Sequence, residues 1–269
     1  MSFSPSSNVI YSKIWQEEPE PDNVFATQKA YCCGYDVYGE MLGQARWVEM
    51  LYLLFRLEPP TLIQANMLEA LAVALANPGP RDTSVHAAMC GGVGGSPAAA
   101  CLMAALGVGA GELSGGREIF FAMDGWRICG TDLQAWNEWF HSTKVMPGSI
   151  WPAPEHAPGY DPHGVKTAGI VKSTLMSLAA YKVGGYLPWL EQNYIDLEVY
   201  AGCPLNLSGV AAAAFSDLGF TPDQGEMLYL LLRLPGAAAH ALEQRDYGHK
   251  KFPFGKIELE EKDLEGEDV

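Results

Sequence analysis

The fold class is decided by a stretch that carries two helix patterns in succession, VEMLYLLFRLEPPTLIQANMLEALAVALA at residues 48–76. Its first half has a broad stripe of apolar residues at helical spacing. The Pro-Pro pair at residues 59–60 ends this first helix. Thr61 and Gln64 then have the spacing of a capping box, which predicts a second helix through about Ala76.

Helix patterns continue along the rest of the chain, and alternating strand patterns are almost absent. The patterns lie at residues 83–110, 132–141, 164–183, 188–200, 209–217 and 222–244. The last of them starts with Thr221 and Pro222, and proline is favoured at the first helical position. We therefore predict an all-α fold.

The composition is that of a soluble globular protein, with 48% hydrophobic and 18% charged residues. The net charge of −15 repels phosphate backbones, so we expect no nucleic-acid partner. The longest uncharged stretch, residues 87–111, is long enough to span a bilayer. Its glycines and the Ser96-Pro97 pair favour a buried, tightly packed helical segment instead, so we expect no membrane association.

The six cysteines form no CxxC pair and have no zinc spacing with histidines. We therefore expect no metal site, and mostly buried thiols in a reducing cytoplasm. The first residues show no secretory signal pattern, which also favours a cytoplasmic location.

Three segments lack helix patterns. Residues 1–23 are predicted to be an irregular lead-in, because they contain a run of acidic residues and prolines. Residues 258–269 hold seven acids and one lysine and are predicted to be a solvated acidic tail. Residues 147–164 are rich in proline and glycine and carry His156 and His163. A long irregular loop of this kind is often functional.

Several short segments, in order along the chain, resemble the citrate synthase superfamily, especially its short citryl-CoA-lyase-like members. They are YDVYGEMLG at residues 35–43, GELSGG at 111–116, PGY at 158–160, PLNLSG at 204–209, RLPG at 233–236 and AHALEQ at 239–244. The resemblance covers roughly residues 30–255. It implies an all-helical protein that joins or splits a carbon–carbon bond between an acyl-CoA and a keto acid, without a metal.

The resemblance also implies an organisation and a set of ligands. A large helical domain is expected from residues 1–118 and 209–269, with a small domain from residues 119–208. A homodimer is expected, with a heteromer containing a homologous subunit as the alternative. A coenzyme A thioester is expected as a substrate, with no covalently bound cofactor.

The positions that carry catalytic side chains in the family are substituted here. In the family an Asp is the base, and His residues hold the enolate oxygen, polarise the keto carbonyl and bind the acid. These positions read, in that order, Ser208, Ser114, Pro162 and Pro78. A serine hydroxyl donates a hydrogen bond but has no useful basicity at neutral pH, so we predict a rearranged site. The sequence leaves the base open among four side chains: His163, Asp161, Glu112 and Glu118.

Other candidates have a functional and a structural interpretation. His163 is the replacement for the shifted His, with Asp161 setting its tautomer, or it is an ordinary loop histidine. Ser208 and Ser114 are hydrogen-bond donors in the site, or a helix N-cap and a turn residue.

The cationic candidates are also open. Arg233 matches the family's carboxylate-binding Arg, with a helix-surface ion pair as the alternative. Lys172 has the spacing of a substrate-binding Arg, and Lys166 and Lys172 either meet CoA phosphates or are surface lysines. Three more charged residues either rebuild a site for a different acid or pair structurally: Arg81, Asp82 and Arg117.

Three functions therefore fit the sequence. The first is an enzyme acting on a CoA thioester with a rearranged site, either as a lyase or as a condensing acyltransferase. The second is a catalytically silent homologue that pairs with an active subunit or binds a metabolite. The third is a different CoA-dependent reaction on the same scaffold, because a fold does not fix a function.

Overall fold

The computed structural model describes residues 10–142, 156–252 and 255, and α-helices dominate it. The helices are α1 (Trp47–Arg56), α2 (Leu62–Leu75), α3 (Thr83–Val93), α4 (Ala98–Gly109), α5 (Gly116–Cys129), α6 (Leu133–His141), α7 (Gly169–Ala179), α8 (Tyr186–Ala201), α9 (Leu207–Asp217) and α10 (Pro222–Tyr247). A π-helical turn at Val37–Met41 and a 3₁₀ turn at His249–Lys251 complete the helical elements. The all-α prediction is confirmed. The predicted acidic tail at residues 258–269 lies outside the described residues.

The predicted helix starts are confirmed in detail. Thr61 caps α2, with its hydroxyl accepting the Gln64 N–H and the Gln64 side chain accepting the Thr61 N–H at 2.8 Å. Thr221 and Gln224 form the same capping box at the start of α10. These bonds satisfy backbone N–H groups that have no partner within the helix.

The prediction of an irregular lead-in is wrong for Trp15–Glu20, which form a strand. Strands β1 (Trp15–Glu20), β2 (Asn23–Cys32) and β3 (Tyr35–Asp36) form an antiparallel sheet in the order β1-β2-β3. The prolines were misleading because β1 is an edge strand, where a missing N–H is tolerated. The pairing register also shifts on both sides of Pro19.

The uncharged stretch forms two helices instead of one buried segment. Helix α3 ends at Val93 and α4 begins at Ala98, with Gly95 between them at a φ of +79°. Helix α4 leaves Met103 and Val108 exposed, so the expected burial is wrong for that face. Within the described ranges, none of the helices combines the length and the apolar character needed to cross a membrane.

Helix α9 lies at the centre of the fold. Every residue from Ser208 to Phe215 is buried, and the helix packs against α5, α7, α8 and α10. Its run of four alanines at residues 211–214 leaves room for these neighbours. Helix α5, which the sequence patterns did not predict, buries Ile119 and Trp126 in the same core. The N-terminal ends of α5 and α9 thereby come together at one place. The division into a large and a small domain stays a prediction.

Candidate functional site

A buried carboxylate, Glu118, lies at the centre of the candidate site. It belongs to the first turn of α5 and is 1% exposed. Its Oε1 accepts the backbone N–H of Gly159 and the hydroxyl of Ser208, both at 2.8 Å. Its Oε2 accepts the Ser114 N–H at 2.5 Å. We call Ser114, Glu118, Gly159 and Ser208 the Glu118 cluster.

The close packing of two glycines places Ser208 and Gly159 beside Glu118. Gly159 has a φ of +92°, and a Cβ there would lie 2.8 Å from the Cα of Gly209. The carbonyl of Gly159 accepts the Asn206 N–H at 2.9 Å. Asn206 is the N-cap of α9, so the interpretation of Ser208 as an N-cap is wrong. The Ser208 hydroxyl is instead directed to Glu118.

The backbone of Ser114 contacts both Glu118 and Arg233. It has a left-handed φ of 59° and precedes Gly115. Gly115 packs so tightly that a Cβ would lie 2.4 Å from the Gly111 carbonyl oxygen. The Ser114 N–H donates to Glu118, while its carbonyl accepts from Arg233 Nη1 at 3.3 Å. The Ser114 side chain lies at an exposed position.

Arg233 is a buried cation with a carboxylate already bound to it. Its side chain is 6% exposed, and Nη2 donates to Oδ2 of Asp82 in an ion pair. Its guanidinium carbon lies 4.6 Å from the centroid of the Tyr229 ring. Asp82 also caps α3, with Oδ1 accepting the N–H groups of Ser84 and Val85. Arg233 is therefore in an ion pair, as one interpretation held, but it is not on the surface.

Burial shifts the proton equilibria of this site. Burial raises the pKa of the Glu118 carboxyl above 4.5, against the opposing effects of the Gly159 N–H, the Ser208 hydroxyl and the charge of His156. Burial also raises the pKa of Tyr229 to about 12, so this phenol keeps its proton at neutral pH. The Glu118 carboxyl is thus a stronger base than an exposed glutamate.

Several predicted site residues lie on the surface. His163, Lys166, Lys172 and Arg81 are exposed. The bond between Asp161 and His163 runs from the His163 backbone N–H to Asp161 Oδ1 at 2.9 Å, and the imidazole takes no part in it. In the described part of the chain, no hydrogen bond or ion pair joins any of these five residues to the Glu118 cluster.

Contacts in the structure also bear on other open interpretations. Of the four candidate bases, Glu118 is the one that contacts Ser208. Arg117 pairs with Glu226 at 2.9 Å and lies over the Phe120 ring, so it has the structural role. Within the described residues, no three His, Cys, Asp or Glu side chains come together as metal ligands.

Sequence reasoning left three contributors to the site without an assigned role. Asp82 had two open interpretations, rebuilding a site for a different acid or pairing structurally, and the pattern gave no signal for Tyr229. His156 was noted as a loop histidine, and it lies close enough for its charge to act on Glu118. An Arg–Asp pair separated by 151 positions has no local sequence signature.

The helix arrangement is a fold of the citrate synthase type, as its similarity to solved structures shows. The chain is similar to the citryl-CoA lyase of Hydrogenobacter thermophilus, with a TM-score of 0.70 at 20% identity over 94% of this chain and 97% of that one. It is also similar to the ATP citrate lyase of Methanothrix soehngenii, solved with citrate and coenzyme A, with a TM-score of 0.70 at 15% identity over 98% of this chain and 44% of that one.

A third similar structure is the citrate synthase of Thermoplasma acidophilum in a ternary complex with carboxymethyl coenzyme A and oxaloacetate. Its TM-score is 0.55 at 18% identity, over 82% of this chain and 60% of that one. No family model and no curated protein matches the sequence. The resemblance inferred from the sequence is therefore confirmed for the fold.

Proposed function

We propose that this protein makes or breaks a carbon–carbon bond between an acyl-CoA and a small carboxylic or keto acid, at the Glu118 cluster. One observation carries the proposal: a buried carboxylate lies behind Ser208, where the resemblance implies the catalytic base, and accepts its hydroxyl hydrogen at 2.8 Å. The site is thus rearranged rather than emptied. The citryl-CoA lyase and citrate synthases of the same fold give the reaction class by analogy.

Glu118 is the proton acceptor in this proposal, and Ser208 conducts the proton. The carbon beside the thioester carbonyl loses a proton to Ser208 Oγ while the hydroxyl hydrogen passes to Glu118, which leaves an enolate and a neutral carboxyl. The enolate carbon bonds to the keto carbon of the acid, and the proton returns by the same path to the new alkoxide. Cleavage follows these steps in reverse. A carboxyl with a raised pKa suits both directions near neutral pH.

The remaining predicted residues have supporting roles in the proposal. The Ser114 side chain, at an exposed position, donates a hydrogen bond to the enolate oxygen. His163, oriented by the Asp161 turn, polarises the keto carbonyl. Lys166 and Lys172 bind the CoA phosphates, and the acyl-CoA is a substrate rather than a resident cofactor. A cytoplasmic location and a homodimer, or a heteromer with a homologous subunit, belong to the same proposal.

Hydrogen exchange tests the first chemical step without knowledge of the acid. Acyl-CoAs are incubated with the protein in D2O, with and without a panel of keto acids, and deuterium beside the thioester is measured by mass spectrometry. We expect catalysed exchange that Glu118→Gln and Ser208→Ala reduce by about 10²–10⁴-fold. Asp217→Asn is the matched control, because Asp217 is a half-buried carboxyl with a raised pKa that accepts backbone N–H groups, and it lies outside the cluster.

Coenzyme A binding has its own test. Calorimetry is expected to show that Lys166→Ala and Lys172→Ala each weaken CoA binding by roughly two- to fivefold, the effect of one exposed ion pair. Lys29→Ala, a change at an exposed lysine on β2, is the control. Equal affinities for all these variants would contradict the assigned phosphate contacts.

A second candidate function is a catalytically silent homologue that binds a metabolite or pairs with an active subunit. The favouring observation is that Arg233 already holds the carboxylate of Asp82. Saturable binding of a CoA thioester with no exchange and no bond cleavage, for any acid tested, favours this function over the first.

A further inference from the structure

We propose that Asp82 is a specificity-determining residue: it takes the place of a substrate carboxylate on Arg233, so that the acid partner carries one carboxylate fewer than a keto diacid. The inference rests on the proposed function and names its substrate class. It makes a 2-oxo monocarboxylic acid, or the corresponding hydroxyacyl-CoA in the cleavage direction, the preferred partner.

The contacts of Arg233 leave little room for a second carboxylate. Nη2 donates to Asp82 and Nη1 donates to the Ser114 carbonyl. One face of the guanidinium lies near the Tyr229 ring, at 4.6 Å from its centroid. With the side chain 6% exposed, an entering carboxylate has to displace Asp82.

Displacement of Asp82 is unfavourable because each of its oxygens has a separate task. Oδ1 caps α3 through the N–H groups of Ser84 and Val85, and Oδ2 pairs with Arg233. The carboxyl is anchored at the helix start, where a negative charge is favoured. An internal carboxylate is also present without the entropy loss that a ligand pays on binding.

The charges of the site lead to the same class of substrate. Among the described residues Arg233 is the buried cation, and the charge of Asp82 already balances its charge. A second substrate carboxylate at Arg233 adds a negative charge beside Asp82, with no new cation. An uncharged group of the acid avoids that repulsion, so the site selects against the diacid.

The variant Asp82→Asn removes the negative charge at position 82 but keeps the helix cap. Asparagine keeps an oxygen that caps α3, but it no longer neutralises Arg233, and a buried charge without its partner is costly. Added carboxylate ligands are expected to restore the pair. Asp132→Asn is the matched control, because Asp132 caps α6 through the same two N–H positions and is exposed.

The experiment measures acid binding by calorimetry and melting temperature in the full chain, with CoA present. Pyruvate and glyoxylate are the monocarboxylic probes, and oxaloacetate and malate are the dicarboxylic ones. We expect the wild-type protein to prefer the monocarboxylic acids. We expect Asp82→Asn to melt at a lower temperature and to bind the dicarboxylic acids at least about tenfold tighter than the wild type, the gain expected from one new charge pair. The double variant with Arg233→Gln is expected to lose this gain.

Two results overturn the inference. One is a wild-type preference for the dicarboxylic acids. The other is a folded, CoA-binding Asp82→Asn variant that gains no affinity for them. Exchange beside the thioester, measured on the same samples, reports the proposed reaction separately. An absence of exchange together with the expected shift in acid preference contradicts the proposed function and leaves the role of Asp82 supported.

Discussion

Replacing Glu118 by glutamine is expected to change how the stability of the protein depends on pH. Because burial raises the pKa of Glu118, the folded state binds more protons than the unfolded state at pH values above 4.5. The stability that this group contributes is fully present below pH 4.5 and is lost as pH rises through the folded pKa. Each unit of pKa shift corresponds to about 1.4 kcal/mol. The glutamine of Glu118→Gln does not titrate, so this variant does not lose stability in this way as the pH rises.

The hydrogen bonds of residue 118 determine how much the free energy of unfolding differs between the wild type and Glu118→Gln at acidic pH. Glutamine keeps an acceptor for Gly159 and Ser208, but its amide nitrogen faces the Ser114 N–H, so one of the three bonds is lost. One neutral bond contributes about 0.5–1.5 kcal/mol, and the variant is expected to be less stable by that amount near pH 5. The difference then shrinks, or changes sign, as the pH approaches 8.

Urea unfolding followed by tryptophan fluorescence measures both proteins from pH 5.2 to 8.0, above the pI of about 4.7. The buried Trp126 and Trp136 supply the signal. Ser208→Ala removes a bond that lowers the Glu118 pKa, so the loss of stability is expected to move to higher pH. Parallel stability curves for the wild type and Glu118→Gln would refute the reasoning, because they would mean that this carboxyl titrates as an exposed one does.

Three further predictions follow from the same structure. Gly209→Ala places a Cβ 2.5 Å from the Gly159 carbonyl oxygen, and it is expected to lower the free energy of unfolding by about 1–3 kcal/mol, measured by thermal unfolding. The control is Gly107→Ala on α4, where the space around the Cβ is open, and it is expected to be neutral or stabilising. Light scattering is expected to give about twice the 29.2 kDa chain mass, and a mass of one chain for the wild type at micromolar concentration contradicts this. The variant Leu231→Glu changes an apolar groove that is also lined by the exposed Trp47, and it is expected to shift the protein toward the monomer. Condensation of acetyl-CoA with oxaloacetate is expected to be slower than that of an ordinary citrate synthase by about 10²–10⁴-fold. Rapid turnover would mean that the substituted positions were misaligned with those of the family, or that a replacement base is as effective as the family's Asp.

The helices were predictable where the signal is local. A capping box needs two side chains three positions apart, and both Thr61 and Thr221 form one in the structure. Helix α5 was missed because its sequence mixes glycines and charges with the apolar residues. Gly125 is needed there because a Cβ would lie 2.8 Å from the Trp139 ring, which is a tertiary contact. The β1–β2 hairpin was missed because Pro19 is compatible with an edge strand.

The site was only partly predictable. Ser114, Ser208 and Arg233 were identified through the resemblance to a family, and the structure brings these three into one site. The partners that determine their chemistry are distant in sequence: Ser208 and Glu118 are 90 positions apart, and Arg233 and Asp82 are 151 apart. Neither separation has a periodic pattern, so the sequence left Glu118 as one of four candidate bases.

Both carboxylates of the site are positioned inside the protein rather than at its surface. Glu118 lies behind Ser208, and Asp82 holds Arg233. With both ionised, the three side chains Glu118, Asp82 and Arg233 together carry two negative charges and one positive charge; with Glu118 protonated, these three sum to zero. A low-dielectric surrounding favours the neutral state, and an anionic acid that enters favours it further. The proton that Ser208 conducts in the proposed reaction therefore also adjusts the charge of the site, so acid binding and the protonation of Glu118 are linked.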